Sequence, residues 1–253
     1  ALFLPGAEVT LHAQLGSHDA CERQMLFESL DATAEDDVLL LDRGLIGNTI
    51  AAAITQRKRH FCMRVDATGY ACVRKFLRSG KAETTAELKP PCPTDRLDYA
   101  LDNTPTCVRL IRDVTPSGTV RVLMTSLLDP QRFPAETFGA LYHSRWRVEE
   151  AFKRIKHRLH LEAVSGLTYL ALQQDFAAKL LADNLHTLLA SAHQSATDAP
   201  EPAHSRPNRT AAFGAFAPIL VGCLLRIGKC LAKLEATLDL IIKNRCRIQR
   251  RRS

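Results

Sequence analysis

The sequence predicts an α/β protein, and three observations predict it. The run Val38-Leu39-Leu40-Leu41 is apolar at every position, stops at Asp42-Arg43-Gly44, and is followed by Ile46, Ile50, Ala53 and Ile54 at helical spacing. A second strand-like run, His60 to Val65, comes next. Ahead of both, Glu8 to Leu15 alternates polar and apolar residues as a half-buried strand does, and Cys21 to Leu30 reads as a helix. Strand, helix, strand, helix, strand is the alternation of a layered α/β unit.

Each element has its own reason. A run as short and as wholly apolar as 38–41 predicts a central strand buried on both faces. From about residue 67 to 128 the character changes. Cys107 to Val114 and Thr119 to Ser126 flank Thr115-Pro116-Ser117-Gly118, a hairpin turn, and Pro90, Pro91 and Pro93 break the stretch before it. This region reads as a β-rich insertion. From Pro134 onward the pattern is helical, interrupted by a polar, Pro-containing linker at roughly Gln194 to Arg209. The expected organisation is a core over 1–195, with 67–128 as an inserted β-rich subdomain, and a linker plus helical basic region over 196–253.

Composition bounds the function. The 253 residues are 46% hydrophobic and 24% charged, ordinary for a soluble globular chain, with a formal net charge of +7. That surplus favours a polyanionic partner such as nucleic acid, although many basic proteins simply carry a solvated positive surface. None of the eight cysteines forms a C-x-x-C pair or has His at zinc-ligand spacing, so free thiols are expected and a structural zinc site is not. No signal peptide opens the chain, and the longest uncharged run, Thr210 to Leu225, contains Pro218 and falls short of the ~20 residues that span a bilayer. The chain begins at Ala1 in strand-like sequence, which leads us to expect a fragment.

The chemistry is concentrated in Tyr142-His-Ser-Arg145-Trp146-Arg-Val-Glu149-Glu150-Ala-Phe152-Lys153-Arg154-Ile155-Lys156. On a continuous helix, Tyr142, Arg145, Glu149 and Lys156 fall within a sector about 60° wide and make a row ~20 Å long. Val148, Phe152, Ile155 and Leu159 form an apolar stripe beside it. Residues 142–160 carry six Lys or Arg against two Glu. A carboxylate in a cationic row suits a site where the acid binds Mg²⁺ and the cations hold a DNA strand by its phosphates. On the helix alone the row reads sooner as a solvated flank, with Glu149 and Lys153 an ordinary i,i+4 pair.

The spacing Y-x2-R-x3-E-x6-K resembles the signature of bacterial insertion-sequence transposases of the DDE type, in the subgroup defined by a Tyr-Arg-Glu-Lys motif. Tyr142, Arg145, Glu149 and Lys156 match all four positions, and Trp146 and Phe152 fit the style of these helices. The lead-in Val120 to Asp129 and the segment Leu39 to Gly44 resemble the same family, so that the resemblance runs from about residue 8 to about 195.

What the resemblance implies is a ribonuclease H-like fold with three acidic metal ligands. Asp42 is then the second Asp and Glu149 the Glu, both catalytic and both ligands of Mg²⁺ or Mn²⁺. An acid at the carboxyl end of a sheet strand is also where an open α/β sheet binds ligands, although alone it is more often a turn former or helix cap. Glu150 is the competing acid, but it points about 100° away from Glu149 and misses the spacing. Tyr142, Arg145, Trp146, Lys153 and Lys156 are the expected DNA contacts. The implied partners are double-stranded DNA, as transposon ends and target, and a second copy in a synaptic dimer; the implied location is the bacterial cytoplasm, at the nucleoid. Leu45, Ile46 and Gly47 stand where the family usually has an aromatic residue. The first Asp has no counterpart in the 41 residues before Asp42, so the chain as given is expected to be inactive alone. The rivals are a ribonuclease H-like nuclease and a non-catalytic DNA-binding remnant of a decayed mobile element.

Near the C-terminus Leu220, Leu224, Ile227, Leu231, Leu234, Leu238 and Ile241 alternate steps of four and three, a seam that packs on its own domain or on a second copy. Lys243, Arg245, Arg247, Arg250, Arg251 and Arg252 follow, either a DNA-backbone contact or a disordered basic tail.

Overall fold

In the computed structural model the described residues are 1–196 except 46, 116, 159 and 161, then 205–207, 215, 219, 222, and 230–247 except 244. The chain forms two compact units, one of Ala1–Leu2 with Leu11–Glu149 and one of Phe3–Thr10 with Glu150–Ser253.

The first unit is built on five strands: β3 (Val38–Leu41), β4 (His60–Val65), β5 (Glu83–Leu88), β6 (Thr106–Val114) and β7 (Val120–Thr125). Their order is β3-β4-β7-β6-β5, with β3 and β4 parallel and the other pairs antiparallel. The helices are α1 (Glu22–Ser29), α2 (Asn48–Gln56), α3 (Ala71–Ser79), α4 (Pro93–Asp98) and α5 (Thr137–His143). The short strands β1 (Leu2–Leu4) and β2 (Val9–His12) pair with each other.

Alternation along the strands gives the sheet two buried faces. Leu39, Leu41, Phe61, Met63, Val65, Leu110 and Met124 share one cluster with residues of α1, α2 and α3. Leu40, Cys62, Ile111 and Leu123 take the opposite face with Phe138 and Tyr142 of α5. The helix α2 is sunk into the first cluster, since Ile50, Ala51, Ala52, Ala53 and Ile54 are all buried and three successive alanines allow close approach. It ends in a Schellman turn. Lys58 takes the left-handed conformation (φ 55°), Arg59 N–H reaches Ile54 O at 3.1 Å and Lys58 N–H reaches Thr55 O at 3.0 Å.

Three expectations change. The run 38–41 is an edge strand, with β4 its one neighbour among the described residues, and its burial alternates because Leu39 and Leu41 face one cluster while Leu40 faces the other. The stretch 67–128 contains two helices as well as three strands. Those strands extend the same sheet, as β7 pairs with β4 through Cys62↔Thr125 to Val65↔Val122. The helical pattern after Pro134 is not continuous across the Tyr142 motif: α5 ends at His143 and α6 (Trp146–Arg158) begins after a turn at Ser144 and Arg145. Bonds of the i to i−3 type, Arg145 N–H to Tyr142 O, Arg147 N–H to Ser144 O and Val148 N–H to Arg145 O, tighten the backbone there.

The second unit holds the rest of α6, α7 (Tyr169–Ala196), α8 (Cys230–Lys243), and the strand pair β8 (Ser205–Pro207) and β9 (Arg245–Arg247). Among the described residues of α6, Ala151 and Ile155 are buried whereas Phe152 is 44% exposed, so Ile155 keeps its predicted place in the stripe and Ala151 takes that of Phe152. Of the predicted seam, Leu234 and Leu238 pack with Leu189; positions 220, 224 and 227 lie outside the described residues, as do Arg250, Arg251 and Arg252 of the basic tail. Arg245 and Arg247 sit in β9. No helix among the described residues is long and apolar enough to cross a membrane.

Candidate active site

The site begins where β3 ends. Leu41 is the last residue of the strand and Asp42 follows it, turned outward with a side chain 60% exposed. Its Oδ1 accepts from the Arg43 amide at 2.7 Å, and the 3₁₀ turn Arg43–Leu45 carries the chain into α2. The other carboxylate arrives from far along the chain. Glu149 lies in the first turn of α6, its side chain 36% exposed.

Arg145 joins them. One guanidinium nitrogen donates to Glu149 Oε1 at 3.1 Å and the other lies 3.9 Å from Asp42 Oδ2. The Arg145 side chain is only 12% exposed, and its guanidinium lies 5.1 Å from the ring centre of Trp146 and 6.0 Å from that of Tyr142. Two acids separated by more than a hundred positions therefore share one cation.

Tyr142 holds this arrangement from beneath. It is 3% exposed, its hydroxyl donates to the Leu41 carbonyl at 3.3 Å, and the Arg121 guanidinium sits over its ring. Burial pushes the phenol above its ordinary pKa. Arg121 is in turn paired with Asp113, and donates to the Gly139 carbonyl at 3.3 Å. A side chain at Gly139 would meet Asp113, so glycine there lets α5 approach the pair. The sequence reading places Tyr142 among the phosphate contacts; in the structure the turn at 144–145 separates it from α6, and its hydroxyl is bonded to the strand that presents Asp42.

The remaining predicted residues are placed individually. Trp146 is 41% exposed. Lys153 pairs with Glu150 at 3.0 Å, not with Glu149, whose partner is Arg145 one turn earlier. Lys156 is exposed and pairs with Glu162 at 2.8 Å, which raises its pKa. Arg145 is thus the cation that reaches both acids, and a flat helical wheel does not show that it faces inward.

Sequence reading passed over Asp66, which follows β4 at the same end of the sheet. It does not complete a triad. Its Oδ1 accepts from the Thr68 and Gly69 amides and the Thr68 hydroxyl, bonds that lower its pKa, and its Oδ2 lies 3.9 Å from Arg43. No group of three or more His, Cys, Asp or Glu is poised to hold a metal ion among the described residues. The donor set at Asp42 and Glu149, two carboxylates with accessible oxygens, fits a hard divalent cation with part of its shell supplied from elsewhere.

A cavity of about 450 Å³ lies at the opposite strand ends, lined by His60, Arg59, Thr106 and Ser126 among others. Its charges are spent on the fold. Arg59 donates to Thr33 O at 2.6 Å and Arg57 O at 2.9 Å, and the Ser126 hydroxyl accepts from the Phe61 amide at 3.1 Å.

Over 159 residues the chain is 28% identical to the transposase InsG for insertion sequence element IS4 of Escherichia coli (strain K12), a match covering 60% of this chain and 35% of that protein. The chain thus spans about a third of that relative's length. No solved structure matches it significantly. Residues 7–185, a span that includes Asp42, Arg145 and Glu149, match the family model described as Transposase DDE domain, and the chain belongs to that family.

Proposed function

We propose that this chain is the catalytic core of an insertion-sequence transposase of the Tyr-Arg-Glu-Lys subgroup. It would cut and rejoin DNA strands by divalent-metal-dependent phosphoryl transfer on a ribonuclease H-like fold. The observation that carries the reading is the meeting of Asp42 and Glu149 on one guanidinium. Two carboxylates from distant elements meet there at the carboxyl end of a sheet strand, where an open α/β sheet binds ligands.

In this reading Asp42 and Glu149 hold Mg²⁺ or Mn²⁺, which when bound polarises the scissile phosphate and acidifies the attacking water. Arg145 supplies a fork of donors suited to a phosphate, and Lys153 and Lys156 offer ammoniums to the backbone of double-stranded DNA. Trp146, 41% exposed, would stack on an unpaired base. Tyr142 positions: its bond to Leu41 O fixes the strand end from which Asp42 projects. A third carboxylate, a synaptic dimer and action at the bacterial nucleoid belong to the same reading.

The test is cleavage of transposon-end DNA by the reading frame that contains this chain. We expect cleavage to need Mg²⁺ or Mn²⁺ and to give strand-transfer products, and Glu149→Ala and Asp42→Ala each to lower the rate by at least ~10³-fold, the scale of losing a group that stabilises transition-state charge. Hydrolysis without transfer would favour a nuclease, and retained cleavage in Glu149→Ala would overturn the site.

A further inference from the structure

Arg145 lies against the two carboxylates that would hold a divalent cation. Its guanidinium reaches Glu149 at 3.1 Å and Asp42 at 3.9 Å, and lies near the rings of Tyr142 and Trp146. A guanidinium is a fixed positive charge, so it vacates the carboxylates only by moving. Its present pose is also incomplete: Nε is buried and has no hydrogen-bond partner. A planar fork with an unused donor is better matched by a phosphate, which accepts two parallel N–H bonds.

We propose that Arg145 is a resident counter-cation that holds Asp42 and Glu149 together in the metal-free protein. When the two carboxylates take a divalent cation, Arg145 leaves Glu149 for a DNA phosphate. Metal binding and DNA binding are thereby coupled through one side chain. This rests on the reading of Asp42 and Glu149 as metal ligands.

The coupling follows from charge. Asp42 and Glu149 cannot hold a divalent cation closely while a guanidinium lies against the same oxygens, because like charges at that separation repel strongly. Whatever draws Arg145 away raises the affinity of the two acids for metal, and by reciprocity metal raises the affinity of Arg145 for phosphate. The turn at Ser144–Arg145 is suited to this, as it breaks the helix between Tyr142, which stays bonded to Leu41, and Glu149.

The experiment is a Mn²⁺ titration of the whole chain followed by electron paramagnetic resonance, at constant ionic strength, with and without a short DNA duplex. Without DNA, Arg145→Gln is expected to bind Mn²⁺ about tenfold more tightly than wild type, within the usual range of such couplings. Arg145→Lys, which keeps the charge but not the fork, is expected to gain less. DNA should tighten Mn²⁺ binding by the wild type and add little in Arg145→Gln. Unchanged or weakened Mn²⁺ binding in a folded Arg145→Gln protein overturns the inference; if that variant does not fold, absence of any gain in Arg145→Lys does so. Asp42→Asn and Glu149→Gln separate the two layers. If they leave Mn²⁺ binding intact, the metal site itself is wrong and the inference falls with it; if they abolish binding while Arg145→Gln changes nothing, only the inference fails.

Discussion

The two units of this chain are held together by different physics. The sheet unit packs apolar side chains on both faces of five strands, with Leu30, Ile54, Phe61, Met63 and Leu110 wholly buried. In the helical unit, among the described residues, the apolar interior is sparse. Leu238 is buried there, while Leu181, Leu188 and Leu240 of the two long helices are about half exposed and Leu167 is fully so. What that unit buries instead is charge. Arg154 of α6, 11% exposed, bonds Glu8 at 3.1 Å and Asp183 of α7 at 3.3 Å, both of which are nearly as buried. Beside them Asn184 pairs with Thr10 through two 2.8 Å bonds, its amide standing in for a strand partner. A well-filled core tolerates polar change at its rim, whereas a network of few ions depends on every member.

The largest effect should come from breaking that network. Arg154→Ala leaves Glu8 and Asp183 buried without their cation, and a loss of about 3–5 kcal/mol is expected in chemical denaturation, read by hydrogen exchange in α7. Replacing all three groups by neutral ones, Arg154→Met with Glu8→Gln and Asp183→Asn, should cost distinctly less, since no uncompensated charge remains. Equal losses in the two proteins would show that packing, not charge, holds the helical unit.

The sheet unit should instead show its weakness at high pH. Burial pushes the Cys62 thiol from 9.0 up to about 12 and the Tyr70 phenol from 10.0 to about 12. Above pH 9.0 the unfolded chain releases the Cys62 proton while the folded chain keeps it, so the unfolded state binds fewer protons and stability falls as pH rises toward 12. The slope should approach about 1.4 kcal/mol per pH unit for each such group. Cys62→Ala should flatten the fall between those limits, although it is less stable at neutral pH because of the cavity it leaves. A profile unchanged by the substitution would contradict the burial argument.

The smallest effect should be at Tyr142. Losing its hydroxyl in Tyr142→Phe removes one bond to Leu41 and is expected to cost about 0.5–1.5 kcal/mol of stability. DNA affinity should be nearly unchanged, because the side chain faces the sheet and not solvent. A loss of DNA binding without a loss of stability would return Tyr142 to the phosphate contacts.

Much of the sheet unit was legible because its signals are local. The apolar run at 38–41, the run at 60–65 and the hairpin at 115–118 each fall on an observed strand or turn. The meeting of Asp42 and Glu149 on Arg145 was legible only through the motif, since no local pattern relates positions so distant. The break at Ser144–Arg145 was not legible. It contains no Pro or Gly, and the apolar spacing on either side permits a continuous helix. The edge position of β3 was hidden for a similar reason, because an apolar run reports burial of side chains and says little about which backbone edges are paired. The ionic interior of the helical unit left no trace either, as Glu8, Arg154 and Asp183 read one at a time as surface charges.

The most direct measurement is anomalous scattering from Mn²⁺ soaked into crystals of this chain. The account predicts one peak within about 2.0–2.6 Å of a carboxylate oxygen of both Asp42 and Glu149, with Arg145 withdrawn from Glu149. A peak bound by only one of the two acids, or one lying elsewhere while Arg145 still spans them, would contradict it.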